Sequence, residues 1–216
     1  MKKIMFAGLL LCGAASAQED FIDVTNLTGW EMNNQSTPIG STNWTQGSVD
    51  VFTSQTGDPT AFIAANFDNT SGGTSGGEGV ICNYLLPPAV EMQEITFWTR
   101  TTIAQDGFTI YPDRLRVLYS PTGGTTAGDC TVDFGDFTEE LLVINPNLST
   151  DDFPNGYPYN AWTEYTVAVP GTGRLAFVYH VIDAGPSGSN SNYIGIDTVD
   201  WIERDVDIIF VDGFEQ

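Results

Sequence analysis

Residues 193–201 read Y-I-G-I-D-T-V-D-W, an apolar run near the end of the chain with a carboxylate in its middle. Apolar residues stand at both parities, which suits a strand covered on both faces. An unpaired buried carboxylate costs several kcal/mol. Asp197 therefore needs a partner, either a bound cation or the backbone N–H groups of a neighbouring loop. Ca²⁺ is the cation that carboxylate oxygens favour. The turn Asn66-Phe67-Asp68-Asn69 is a second acidic position, read either as an ion ligand or as a turn held by Asx hydrogen bonds.

Residues for catalysis are sparse. His180 is the single histidine and lies in a strand pattern between Tyr179 and Val181, as a core or sheet-face residue would. Neither G-x-S-x-G nor H-E-x-x-H occurs. A sandwich glycosidase wants two carboxylates facing one cleft. Asp197, Asp200 and Glu203 are spaced by three, so simple strand alternation turns Asp200 away from the other two. The leading reading is a protein without enzymatic activity, with a polysaccharide hydrolase or lyase as the alternative.

Five tryptophans and eight tyrosines offer platforms for stacking on sugar rings. Gly156-Tyr157-Pro158-Tyr159-Asn160 is the candidate exposed ledge, with Trp162 just beyond it. Tyr157, Tyr159 and Trp162 are thus the candidate ligand contacts. The competing reading packs these rings into the core.

The elements that must position these groups are strands. Alternation and turn clusters predict nine, at about 49–53, 61–66, 80–85, 94–102, 114–120, 140–144, 164–169, 174–182 and 193–202. With 23 glycines, 11 prolines and no long helical pattern, the chain reads as all-β. The expected architecture is an antiparallel two-sheet β-sandwich of jelly-roll type.

Both ends carry further information. Lys2 and Lys3 precede an apolar run from Ile4 to Cys12, and Ala15-Ser16-Ala17 supplies a small-x-small cleavage pattern. Residues 1–17 are expected to be a signal peptide, residues 18–204 the sandwich domain and residues 205–216 a short tail. Lipidation at Cys12 competes with simple cleavage. The apolar run is too short to span a membrane, so the expected location is secreted, periplasmic or cell-surface.

Loss of residues 1–17 leaves five basic residues against 28 acidic ones, a net charge of −23. That charge excludes nucleic-acid binding, which needs cations against phosphate, and disfavours anionic lipid. Two cysteines remain, Cys82 and Cys130, an even pair that suggests one disulfide in an exported chain.

An ordered series of short motifs resembles a known family. It runs through Gly29-Trp30, Asn43-Trp44, Ala64-Ala65-Asn66, Leu85-Leu86-Pro87-Pro88 and Phe97-Trp98. It continues with Leu115 to Ser120, Trp162 with Tyr165 and Val167, Arg174 to Phe177, and Ile196-Asp197-Thr198-Val199. The order resembles the choice-of-anchor J domain, a relative of cleaved-adhesin and MAM-like jelly rolls, over roughly residues 20–202. The resemblance implies a structural Ca²⁺ where the first strand meets the last, held by Asp197 with Asp23, or with Glu19 and Asp20. It implies adhesion or recognition, with a glycan or cell-surface protein as partner. A purely structural extracellular domain is the third reading.

Overall fold

The computed structural model describes residues 16–72 and 79–204. Most of the expected signal peptide, the 205–216 tail and part of the glycine-rich 69–79 loop lie outside the described residues. The boundary expected after Ala17 falls within the first strand.

Eleven strands and two single 3₁₀ turns make up the described chain. In order the strands are β1 (Ser16–Glu19), β2 (Glu31–Asn34), β3 (Thr45–Gln46), β4 (Ile63–Asn66), β5 (Gly79–Leu86) and β6 (Met92–Arg100). They continue as β7 (Leu115–Ser120), β8 (Glu139–Ile144), β9 (Thr163–Ala168), β10 (Arg174–Ala184) and β11 (Tyr193–Glu203). One sheet runs β3-β4-β11-β6-β9 with β1 also on β11, and the other runs β2-β5-β10-β7-β8. Every pairing between these strands is antiparallel. This is the two-sheet jelly-roll sandwich that the sequence predicts. Apolar side chains of both inner faces fill the space between, with Phe97 and Phe177 meeting edge-to-face at 4.9 Å.

β11 holds the centre of its sheet. Its first half pairs with β4 and its second half with β1, while β6 lies along its other side. The join falls at a β-bulge, where Thr198 adopts φ 47° and the register against β6 shifts between Asp197 and Asp200. A bulge adds one residue and switches the inward parity. Hence Ile194 and Ile196 face the core before it, and Val199 and Trp201 face the core after it. The mixed parity of residues 193–201 records this bulge. It also corrects the alternation argument, because Asp197 and Asp200 both oppose outward residues of β6, Trp98 and Thr96.

Loops cover the outer faces. On the β11 sheet the 47–60 segment brings Phe52 against Phe62, Trp162 and Tyr193, and the Arg100 guanidinium sits 4.5 Å from the Phe52 ring. The segment expected as a strand at 49–53 is therefore a covering loop. Its pattern came from Phe52, which is buried against a sheet face without joining the sheet. Gly195 lies beneath this cluster. On the other sheet, residues 121–138 lay Phe137 over Tyr84, and the disulfide between Cys82 and Cys130 fastens them down.

Candidate functional site

Aromatic loops cover both outer faces, and among the described residues an open concavity lies at one end of the sandwich. A cleft of about 890 Å³ sits where β4 and β6 end and β11 begins. Ser48, Asp50 and Val51 form one wall, and Thr102 to Gln105 with Tyr111 form another. Residues 185–188 and 191–193 close it, with Asn66 and Phe67 at the end of β4. Its polar groups are amides and hydroxyls, and of the side chains lining it only Asp50 carries a charge. That is a sparsely charged site on a chain of net charge −21. Tyr111 is 37% exposed on the cleft wall.

The cleft has a built floor. Asn192 donates its backbone N–H to Asp113 Oδ1 at 2.9 Å and its side-chain amide to Thr102 O at 3.0 Å. Its carbonyl accepts from Phe67 N at 2.9 Å. One residue thus ties three of the cleft's segments together. Asp113 is fully buried and takes two further contacts, from Tyr179 OH and Thr101 Oγ1, both at 2.5 Å. Burial pushes its carboxyl up to about 6 against the pull of those hydrogen bonds. Beside the cleft, Asp106 accepts from Phe108 N, Thr109 N and Thr109 Oγ1, bracing a turn on which Phe108 stands 89% exposed.

His180 is not placed for catalysis. It is buried on the outer face of β10, where Arg116 Nε donates to its Nδ1 at 3.1 Å and Arg114 Nε donates to its carbonyl at 2.8 Å. Burial, then the two guanidiniums, hold its pKa down to about 3, so the ring is neutral at ordinary pH.

The residues singled out by sequence are not gathered at the cleft. Asp197 is fully buried beneath the 53–56 segment, its Oδ2 accepting Gln55 N at 2.6 Å and its Oδ1 accepting Thr198 N at 2.7 Å. Burial above all, and Asp20 to a smaller extent, raise its pKa to about 6. Asp23 is turned elsewhere: its carboxylate caps a 3₁₀ turn, accepting from Thr25 N at 3.0 Å and Thr25 Oγ1 at 2.6 Å. Of the acids expected from the first strand, Asp20 is the one whose field reaches Asp197.

Tyr157 is a core residue and not part of an exposed ledge, with its hydroxyl 2.7 Å from Thr99 Oγ1. Tyr159 is half-buried, and its main chain is held by Asp152 and Arg100. Trp162 packs edge-on against Phe52 and Phe62 and donates Nε1 to Thr53 O at 2.9 Å. Asn66 Oδ1 accepts Asp68 N, so the 66–69 segment is an Asx-held turn. Sequence reasoning missed Asp113 and Tyr111, whereas Asn192 ends the 183–192 loop that reads in the sequence as a rim loop beside a binding surface. The cleft-side signal lay in the Gly-Pro-Ser-Gly-Ser loop after β10, which has the composition of a rim loop.

No family model matches the sequence, and no curated protein matches it. Solved structures do. The K1 cleaved adhesin domain of Lys-gingipain from Porphyromonas gingivalis W83 matches at TM-score 0.56 and 19% identity, covering 89% of this chain and 100% of that domain. The K3 cleaved adhesin domain matches at TM-score 0.53 and 19% identity, covering 88% of this chain and 98% of that domain. The K2 domain matches at TM-score 0.51 and 19% identity, over 87% of this chain and 99% of that one. At this identity the likeness is one of fold, and the chain shares the adhesin-like jelly-roll sandwich of these domains.

Proposed function

We propose that this chain is a non-catalytic recognition domain that takes an uncharged glycan in its end cleft. The observation that supports it is the lining: the amides of Asn66, Gln105 and Asn192 and the hydroxyls of Ser48, Thr102 and Ser187 line the same cleft as Tyr111. Sugars are bound by such donors and acceptors together with an aromatic face. A catalytic reading lacks support at the same place, because Asp50 is the lone carboxylate of the lining and His180 is buried elsewhere. A glycan panel scored for both retention and product release tests the proposal. Retention without release supports it, and release of product overturns it.

A cell-surface protein as partner is a second reading, favoured by Phe108 standing exposed on its braced turn. Phe108→Ala separates the two, since it lowers retention of a protein partner and spares a sugar held in the cleft.

Calcium is a further proposal. Asp197 and Asp20 are the acids on hand, and the Asp20 charge raises the cost of ionising Asp197. A divalent cation relieves that repulsion, with main-chain oxygens completing a shell of roughly six to eight. Among the described residues no three His, Cys, Asp or Glu side chains converge on one point, so such an ion depends on main-chain donors.

A further inference from the structure

We propose that in mildly acidic solution Asp113 is held in the native protein as a carboxylic acid that donates through Oδ2 to Thr101, and that this donated proton positions the floor of the cleft. The argument is one of counting protons. Thr101 Oγ1 lies 2.5 Å from Asp113 Oδ2 and 3.0 Å from the carbonyl of Tyr193. A threonine hydroxyl has one proton to give. If Asp113 is a carboxylate, both neighbours are acceptors and one contact has no proton. If Oδ2 carries the proton, Asp113 donates to Thr101 and Thr101 donates to Tyr193 O. Oδ1 then keeps its two donors, Tyr179 OH and Asn192 N.

The next rung of the same ladder has this order already. Tyr157 OH lies 2.7 Å from Thr99 Oγ1, and Thr99 donates to Gly195 O at 2.6 Å. Both rungs tie β6, or the residue just past it, to β11 through a threonine. In one rung a phenol supplies the proton, and in the other Asp113 does.

The surroundings favour the neutral acid. The titratable groups facing Asp113 are the phenols of Tyr179 and Tyr157, both raised well above the usual range by burial. Arg114, its neighbour in sequence, extends to the opposite face of its sheet and binds the His180 carbonyl. β6 presents only hydroxyls, and the 185–192 segment presents the Asn192 amide. Burial accordingly raises the carboxyl to about 6. Ionisation above that pH removes the proton from the Thr101–Tyr193 rung. The tie between Thr101 and the Tyr193 carbonyl at the start of β11 then loosens, while Oδ1 keeps its donors Tyr179 OH and Asn192 N.

The role of the floor in binding rests on the glycan reading, but the proton assignment does not. Its test uses no ligand, so each can fail alone. In the full chain, NMR titration of the Asp113 carboxyl carbon is expected to show a midpoint near 6. A midpoint near the ordinary value of about 3.9 overturns the proposal. Asp113→Asn supplies the second arm, since its amide donates to Thr101 at every pH. Exchange of the Asn192 amide through openings that expose Asp113, corrected for intrinsic rate, is expected to rise by up to about tenfold per pH unit from about pH 4 to the midpoint and to level off above it. In Asp113→Asn that rise disappears. Loss of Asn192 protection in Asp113→Asn at low and high pH alike marks Asp113 as an ionised anchor and overturns the proposal.

Discussion

Asp197 and Gln55, 142 residues apart in sequence, are joined by a 2.6 Å hydrogen bond from the Gln55 amide to Oδ2. The bond sits beside the bulge where β11 changes its partner from β4 to β1. Asp197 therefore fastens the loop covering one sheet to the strand at that sheet's centre.

Removing that acceptor is costly. Asp197→Ala leaves the partly buried N–H groups of Gln55 and Thr198 without their acceptor, an expected loss of about 2–4 kcal/mol. Asp197→Asn keeps one acceptor and loses less, about 1 kcal/mol. Urea denaturation of the three proteins measures this, and an Ala variant as stable as the parent contradicts it. If calcium binds beside Asp197, added Ca²⁺ raises Tm in the parent and chelator reverses the rise. An unchanged Tm sinks the calcium proposal.

Stability depends on pH in a sense set by three buried groups. Asp113 and Asp197 have native pKa values near 6, above their unfolded values, so their contribution is complete at low pH and lost as pH rises through 6. His180, lowered to about 3, acts oppositely and costs stability as pH falls below about 6.5. Two protons against one leave a net gain of ~1.4 kcal/mol per pH unit on going from about pH 6 to about pH 4. Below that window Asp106, Asp129 and Asp136, whose pKa values are lowered by hydrogen bonds, lose their contribution. Calorimetry across the range should find the maximum on the acid side of neutrality. A Tm that climbs steadily toward pH 8 contradicts this account.

The Cys82–Cys130 bond closes a loop of 48 residues, and such a closure contributes about 4 kcal/mol in the chain-entropy model. Replacing both cysteines by serine should remove about that much and free the 121–138 cover from Tyr84 and Val178. Denaturation with dye binding as a second probe checks both effects. A variant of unchanged stability rejects the stapling role.

Gly195 answers to space and not to backbone conformation. A Cβ there would stand 2.7 Å from Trp162 Cη2 and 3.0 Å from both Phe52 and Phe62. Gly195→Ala is expected to cost roughly 1–3 kcal/mol by overpacking. It should also shift the near-ultraviolet signal of the aromatic cluster, and an unchanged spectrum at unchanged Tm speaks against the packing described.

The strands legible in the sequence are those with clean alternation over a full core face, such as β7 and β10. β1, β2 and β3 were invisible because they are two to four residues long and mostly polar. Asp197 stood out because its neighbours are apolar in sequence. Asp113 did not, because its burial comes from Thr101, Tyr179 and Asn192, which lie 12, 66 and 79 residues away. Tyr157 misled for the converse reason: a Gly-Tyr-Pro-Tyr run has the composition of a surface turn, yet the fold turns the first ring inward onto Thr99. Composition alone cannot report which of two adjacent tyrosines the core takes.

The central claim, that the end cleft binds an uncharged glycan, is tested most directly by comparing retention on a glycan panel between the parent and a Tyr111→Ala, Asn192→Ala pair. The account predicts a retained neutral glycan, weakened in each variant by ~1–3 kcal/mol, roughly 5- to 150-fold in Kd. Retention that survives both substitutions unchanged, or resides wholly on acidic glycans, contradicts it.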